Sequence, residues 1–261
     1  MRRILLILAA LTMGTSTLGL GALAPVGAAE PDVPQARSVQ TVPATGALFY
    51  PSILGLVPTL GGPHFCSASV VSSPTKDLLV TAAHCVFGVG PTIEFAPLLN
   101  DAKLPVGVWS VTKIYIDPAW KKSFDPRYDV AFLRVAPRAG KKLEDVVPGN
   151  ALGTPQVGAA VDVSGYPMGS RGRPITCNAP LEDVDGYSGI TCRGFEDGTS
   201  GGPWVQGGRV VGVIGGLEQG GCSAEAEYST PFGPGVQSLF ARAVAGGPGD
   251  LVPIGVTANA C

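Results

Sequence analysis

The chain is poor in histidine, in charged residues and in long apolar runs. Only two of its 261 residues are histidines, and 15% are charged, with a formal net charge of −2 at pH 7. Basic residues never cluster beyond two or three neighbours, so neither nucleic acid nor a membrane surface is expected as a partner. The scarcity of histidine restricts any general base that works near pH 7 to His64 or His84.

The longest apolar run lies near the N-terminus and is too short to cross a membrane. It extends over residues 4–11 after two arginines, whereas a bilayer span needs about 20 apolar residues. A basic pair, a short apolar segment and small residues up to Ala29 form the layout of a cleaved secretory signal. Residues 1–29 are therefore predicted to be a Sec-type signal peptide, and the protein is predicted to be secreted.

Glycine and proline are abundant, whereas helical patterns are scarce. The 37 glycines and 24 prolines separate short runs rich in apolar and β-branched residues, which is typical of strands joined by tight turns. The pattern predicts an all-β fold whose one clear helix lies at 235–245, on the outside of the second half. The predicted strands are 46–49, 65–71, 78–81, 108–116, 157–163, 189–192, 203–205 and 209–214.

The distribution of turn residues also predicts the domain organisation. Residues 30–44 are rich in proline and polar residues and show no alternation, so they are expected to be a leader or propeptide without regular structure. The folded domain is expected over 45–261. A turn-rich stretch at 136–155 divides it into a first half, about 45–147, and a second half, about 148–261.

Six cysteines in an exported chain indicate three disulfides. Their number alone allows fifteen pairings. No Cys-x-x-Cys spacing is present, so a zinc site is disfavoured. Neither a metal nor a cofactor is expected.

Three short segments supply a base, an orienting acid and a nucleophile, in that order along the chain. His84 follows an apolar strand, Asp129 precedes the apolar run 130–133, and Ser200 lies in the glycine-rich segment 198–203. A serine hydroxyl is a poor nucleophile near pH 7 unless an imidazole takes its proton and a carboxylate holds that imidazole in one tautomer. The three residues provide each of these parts.

Each of these residues has a competitor or a simpler interpretation. His64 is expected to be structural and to pack near a disulfide. Asp125 precedes a proline and is expected in a surface turn. A glycine-rich segment such as the one around Ser200 can also be a plain hairpin, which is the expectation for Gly207-Gly208.

Taken in order, these motifs resemble the chymotrypsin-like or trypsin-like serine peptidase family, which has the order His, Asp, Ser. Trp204 directly after the glycine turn, and Gly215-Gly216 followed by Tyr228-Ser229, are similar to the bacterial secreted members. The resemblance extends over about 45–240. It implies two antiparallel six-stranded Greek-key β-barrels with a cleft between them, a protein or peptide substrate, and a monomer.

The resemblance also implies roles for residues around the three motifs. It assigns an oxyanion hole to the backbone amides of Gly198 and Ser200, and it pairs Cys66 with Cys85. For Cys177, Cys192, Cys222 and Cys261 the pairing stays open, with Cys177–Cys192 and Cys222–Cys261 favoured. The residues expected to wall a substrate-binding pocket are Gly194, Ile214, Gly215 and Gly216.

Two departures from the family pattern bear on activation and specificity. Thr199 stands where members activated by a freed N-terminus carry an aspartate, so the pocket is predicted to be competent without a liberated amine. Gly194 offers no carboxylate for a basic side chain, and the lack of a third histidine disfavours glutamate specificity. Four carboxylates near the pocket would make its entrance acidic and favour basic substrates, although such residues more often lie in solvated loops. They are Glu196, Asp197, Glu218 and Glu225.

The sequence therefore predicts a secreted serine endopeptidase that acts through an acyl-enzyme. Two alternatives remain open at this point. One is an exported binding module that keeps the fold without catalysis, and the other is a secreted esterase on the same three residues.

Overall fold

The computed structural model describes residues 32–50, 64–86 and 93–252 of the chain. The predicted signal peptide and Cys261 lie outside these ranges. None of the described helices is long and apolar enough to cross a bilayer.

The described residues form mainly short strands. The strands are β1 (Arg37–Ser38), β2 (Thr45–Phe49), β3 (His64–Val70), β4 (Leu78–Thr81), β5 (Glu94–Pro97), β6 (Trp109–Ile116), β7 (Ala131–Val135), β8 (Ala151–Leu152), β9 (Ala160–Gly165), β10 (Ile175–Pro180), β11 (Glu182–Val184), β12 (Tyr187–Thr191), β13 (Pro203–Gln206), β14 (Arg209–Val213) and β15 (Ala226–Ser229). The helices are α1 (Pro118–Ser123) and α2 (Pro234–Ala245), and 3-10 turns occupy His84–Val86, Pro126–Tyr128, Leu143–Asp145 and Leu217–Gly220.

The first barrel is a closed antiparallel cylinder. Its strands run in the order β2-β3-β4-β7-β6-β5, with β5 returning to pair with β2. This placement of β5 and β7 around the first three strands gives the predicted Greek-key topology. The interior is filled by fully or nearly fully buried apolar side chains that include Leu48, Phe95, Trp109 and Phe132.

The second barrel is built from two sheets rather than from one continuous ladder. One has the strand order β1-β10-β9-β13-β14-β8 and the other has the order β11-β12-β15. An isolated bridge between Ile214 and Ser229 joins them. The pair β14–β8 is parallel, which is an exception to the predicted antiparallel pattern. Val161, Val163, Ile190 and Trp204 are buried in the core of this half.

The expectation that residues 30–44 lack regular structure does not hold for residues 34–39. Strand β1 pairs with β10. The backbone amide of Ala36 donates to the Arg193 carbonyl at 2.7 Å, and that of Arg193 donates to the Pro34 carbonyl at 2.8 Å. The segment was missed because it contributes only two strand residues and shows no alternation, while its backbone bonds cover the edge of a sheet.

Helix α2 matches the predicted range but packs on the other barrel. It starts at Pro234 and ends before Gly246, whose φ of 78° suits a left-handed C-cap. Its apolar side contacts β6 and β7 of the first barrel, with the rings of Phe240 and Phe132 5.3 Å apart. The prediction that the helix covers the second half was wrong, because chain proximity does not determine which sheet a helix packs against.

Two of the three expected disulfides are described. Cys66 is bonded to Cys85, and Cys177 is bonded to Cys192. The proposed partner of Cys222, Cys261, lies outside the described residues, so the third bridge stays a prediction.

Candidate active site

His84 and Asp129 meet because the strands that carry them are neighbours. In the antiparallel pair β4–β7, Thr81 lies opposite Ala131. His84 follows the end of β4 and Asp129 precedes the start of β7, so both residues leave the barrel at the same edge. The Cys66–Cys85 bridge ties the short 3-10 turn at His84 to β3.

The Asp129 carboxylate is completely buried and accepts three hydrogen bonds. His84 Nδ1 lies 2.7 Å from Oδ2, the His84 amide donates to Oδ1 at 2.8 Å, and the Gly216 amide donates to Oδ2 at 2.8 Å. Because a carboxylate only accepts, Nδ1 carries the proton in the neutral ring and Nε2 keeps a free lone pair. The histidine is thus fixed in the tautomer that a general base requires.

The turn that carries Ser200 is held against the base-bearing edge of the first barrel. The Ser67 amide donates to the Ser200 carbonyl at 2.7 Å, and the Gly201 amide donates to the Ile214 carbonyl at 2.7 Å. Any side chain at Gly201 would collide with Thr81 Oγ1 and the Ser67 carbonyl, so glycine is needed for this close approach. Within the described ranges no hydrogen bond joins the Ser200 hydroxyl to the His84 ring.

Two backbone amides beside the Ser200 side chain have no acceptor among the described residues. The intervening amide of Thr199 donates to Glu196, and those of Gly201 and Gly202 donate to Ile214 and Thr199. The amides of Gly198 and Ser200 make no such bond. Gly198 has a φ of 93°, and a Cβ there would lie 2.8 Å from the Tyr166 carbonyl oxygen and from the Met168 nitrogen.

Ser67 braces the two barrels at this point, a role that sequence reasoning missed. Its hydroxyl donates to the Gly198 carbonyl at 2.9 Å and accepts from the Tyr166 amide at 2.8 Å, and the residue is fully buried. By holding the carbonyl of Gly198, Ser67 helps to fix the orientation of the glycine-rich turn. The sequence shows a serine inside a predicted strand of mostly apolar residues. This pattern does not reveal that the serine bonds to Gly198, 131 residues away.

The competing residues have structural roles. His64 is buried, and its Nε2 donates to the Tyr166 carbonyl at 2.7 Å. Burial lowers the pKa of this imidazole. Asp125 caps the 3-10 turn at Pro126–Tyr128 by accepting from the Arg127 amide at 3.0 Å, which is the surface role expected for it.

A cavity of about 490 Å³ opens beside Ser200. Thr199, Ser200 and Ile214 line it. Gly215 packs against Ala82 and Asp129, and the Gly216 amide donates a hydrogen bond to Asp129. Both glycines therefore contact the acid and are not among the described residues that line the cavity.

Gly194 is not among the described residues that line this cavity. A Cβ on Gly194 would lie 2.5 Å from Gln35 Nε2, so this glycine faces the N-terminal segment. The family resemblance assigned Gly194 to the wall of the pocket, and its position beside Gln35 does not support that assignment.

The acidic residues divide between the cavity and the surface. Glu196, Asp197 and Glu218 line the cavity. Glu225 lies outside it and forms an exposed ion pair with Arg193, whose Nε donates at 2.8 Å.

Glu227 also lines the cavity, and the sequence analysis did not identify it. Its residue is only 6% exposed, and burial raises the pKa of its carboxyl group to about 8. A charged residue at an inward position of a strand is the signal that was available, but it becomes visible only when the strand register is known.

One cluster of potential metal ligands occurs in the described part of the chain. It consists of Cys66, His84 and Cys85. Both sulfurs belong to the disulfide, and zinc requires thiolates. The donor set therefore suits a disulfide beside the candidate base rather than a metal centre.

Comparison with family models places the chain in a known family. A model described as a trypsin-like peptidase domain matches residues 66–213, more than half of the 261 residues. The chain belongs to the trypsin-like peptidase family. Comparison of the sequence with curated proteins gives no significant match.

Solved structures with the same fold include several proteases. The protease Anisep from Arthrobacter nicotinovorans is 26% identical, with a TM-score of 0.66, and the match covers 80% of this chain and 99% of that one. A thermostable serine protease, AL20, from an extremophilic microorganism is 22% identical, with a TM-score of 0.64 and coverage of 78% and 98%. A Glu endopeptidase is 16% identical, with a TM-score of 0.61 and coverage of 82% and 98%.

Proposed function

We propose that the protein is a secreted serine endopeptidase that uses Ser200 as nucleophile, His84 as general base and Asp129 as the orienting acid. The observation that carries the proposal is the His84–Asp129 pair, in which Nδ1 lies 2.7 Å from Oδ2. This contact places the proton of the neutral ring on Nδ1 and leaves Nε2 as the basic nitrogen. Family membership and the protease neighbours support peptide-bond hydrolysis.

The proposed reaction begins when His84 Nε2 takes the Ser200 hydroxyl proton as Oγ attacks the substrate carbonyl carbon. The resulting imidazolium is stabilised by the buried Asp129 carboxylate, which remains ionised. The developing oxyanion receives hydrogen bonds from the Gly198 and Ser200 amides, which have no acceptor among the described residues. Collapse transfers the proton to the leaving amine and gives an acyl-enzyme. Water then repeats the sequence and releases the acid.

Secretion is part of the same proposal. Two disulfides in the described residues fit an oxidising compartment. The N-terminal layout of two arginines, an apolar run and small residues would direct export. Proteins or peptides outside the cell are the proposed substrates.

The test is Ser200→Ala with casein and a peptide library as substrates. We expect kcat to fall by about 10⁶-fold, and we expect a fluorophosphonate to label one site per wild-type chain at Ser200. Ser238→Ala is the matched control, because that hydroxyl donates to the Pro234 carbonyl within helix α2, away from the cavity. Undiminished hydrolysis by the Ser200 variant would overturn the assignment.

The same assay separates the two alternatives. An esterase would hydrolyse simple esters but not peptides of matched sequence. A binding module would resist the fluorophosphonate altogether.

A further inference from the structure

Glu227 occupies an inward position of a strand that is otherwise built for burial. Along β15 the exposure alternates, so Glu227 and Ser229 are buried while Ala226 and Tyr228 are partly exposed. Ser229 satisfies its hydroxyl by donating to the Thr230 carbonyl and accepting from the Val213 amide. Its neighbour on the same face is a carboxylic acid, which is costly to bury without a partner.

The Glu227 carboxylate has neither a hydrogen-bond donor nor a cation within the described residues. Strand β12, which pairs Ile190 with Glu227, carries no charged residue. The carboxylate belongs to the lining of the cavity that contains Ser200. The described residues supply no partner, so a molecule that enters this cavity could provide one.

The other charged groups that line the cavity are all acidic. They are Glu196, Asp197 and Glu218. No lysine, arginine or histidine is among the lining residues described. An acidic guest would be repelled, whereas a guanidinium or ammonium group would gain a charge-assisted hydrogen bond in a partly dehydrated site.

We propose that this cavity binds the cationic side chain of an arginine or lysine in the substrate, with the Glu227 carboxylate as its counter-ion. The inference rests on the proposed function for the identity of the residue that enters. Because the cavity shares Ser200 with the amides that would hold the attacked carbonyl, the cationic side chain belongs to the residue that carries this carbonyl. The cavity volume of about 490 Å³ falls in the range of ligand pockets, about 300–1,000 Å³.

Such a site makes the selectivity depend on pH. In the free protein, burial raises the pKa of Glu227 to about 8, so near pH 6 the carboxyl group is mostly protonated. At such a pH the cationic side chain can bind only when the Glu227 carboxyl group releases its proton. Below the pKa, the preference for a cationic over a neutral side chain should rise by about tenfold per pH unit.

The first experiment compares two peptides that differ only by arginine or citrulline at the residue before the cleaved bond. Citrulline has nearly the same shape but no charge. Because both substrates use the same His84, the ratio of their kcat/KM values cancels the titration of the base. We expect this ratio to rise from pH 6 to pH 8 and then to level off. A ratio near one at every pH would overturn the proposal.

The second experiment uses Glu227→Gln, with Glu225→Gln as the matched control two residues away. We expect Glu227→Gln to lower kcat/KM for the arginine peptide by about 10²-fold and to leave the citrulline peptide nearly unchanged, with a ratio that no longer varies with pH. Glu225→Gln should keep the wild-type ratio. An equal loss for both peptides would mean that Glu227 is only structural, and the proposal would fail.

A third measurement separates this proposal from the proposed function and does not depend on how the variant folds. Calorimetry of n-butylguanidinium binding to the wild-type protein at pH 7, in buffers of different ionisation enthalpy, should show release of a proton. If Ser200 resists the fluorophosphonate but the guanidinium binds in this way, the proposed function fails and the cation site stands. If Ser200 is labelled and the guanidinium does not bind, only the cation site fails.

Discussion

The two halves of the site differ in whether their polar groups already have partners. In the half contributed by the first barrel, the Asp129 carboxylate is fully buried and accepts three N–H groups. In the half contributed by the second barrel, two amides lack an acceptor within the described residues, and the nearly buried Glu227 carboxylate lacks a donor there.

The difference separates polar groups that are already bonded within the protein from polar groups that are available to bind a substrate. In the proposed reaction Asp129 keeps one charge and one orientation throughout, and its hydrogen-bond partners belong to the protein. The amides of Gly198 and Ser200, and the Glu227 carboxylate, match groups that only the substrate brings. Leaving a nearly buried carboxyl group without a partner is costly, so a ligand that supplies the missing donor to Glu227 would gain binding energy.

Among the variants that test this comparison, the largest effect is expected for Asp129→Asn, which changes the half whose polar groups already have partners. The asparagine NH₂ group would face His84 Nδ1, forcing that nitrogen to accept and placing the proton on Nε2. We expect kcat to fall by about 10⁴-fold, measured with a peptide substrate at pH 8. Asp125→Asn should keep wild-type kcat, because an asparagine can also cap the turn at Pro126–Tyr128. If Asp129→Asn kept a tenth of the activity, the assigned role of Asp129 would be wrong.

A smaller loss is expected when one unpartnered donor is removed with Gly198→Ala. A Cβ would lie 2.8 Å from the Tyr166 carbonyl oxygen at a φ of 93°, so the peptide should turn away from the cavity. We expect kcat to decrease by about 10²- to 10³-fold with little change in KM. Gly208→Ala provides the control, since it has a φ of 75° and no atom within 4 Å of the added Cβ. Equal kcat values for the two variants would contradict the role of Gly198.

The smallest effect is expected on stability, through Glu227→Gln. Burial raises the pKa of Glu227 from 4.5 to about 8, so between these values the folded chain holds a proton that the unfolded chain has released. The wild-type free energy of unfolding should therefore decrease as pH rises through this window. The variant should lack this decrease and should be more stable than wild type above pH 8.

Urea unfolding at pH 5 and pH 8.5 checks this expectation. The two proteins should differ least at pH 5, where the glutamic acid is largely neutral. Glu225→Gln should follow the wild-type curve at both values. A Glu227 variant that is less stable than wild type at pH 8.5 would show that the carboxylate has a partner in the fold.

The residues that the first barrel contributes to the site could largely be predicted from the sequence, because their immediate neighbours in the chain identify them. His84 and Asp129 each stand beside a strand end with recognisable apolar neighbours. Strand β4 was predicted with its observed bounds, 78–81. The family resemblance then suggested the roles of Ser200 as nucleophile and of the Gly198 amide as an oxyanion-hole donor.

The second half was harder to predict because its residues act through contacts between distant strands. Glu227 was missed since nothing in the sequence states that it faces inward. Gly194 was assigned to the pocket by family resemblance, which does not determine the path of the loop that carries it. Strand β1 was missed because two residues show no periodicity and gain their stability only from the strand beside them.

Strand β1 determines how far the N-terminus can be shortened when the protein is produced recombinantly. A version starting at Thr45, where the sequence first looks like a barrel, would delete the only neighbour that β10 has on that side in the described sheet. An exposed edge strand can pair with strands of other chains and promote aggregation. Recombinant forms should therefore retain Pro34 onward to remain dispersed in solution.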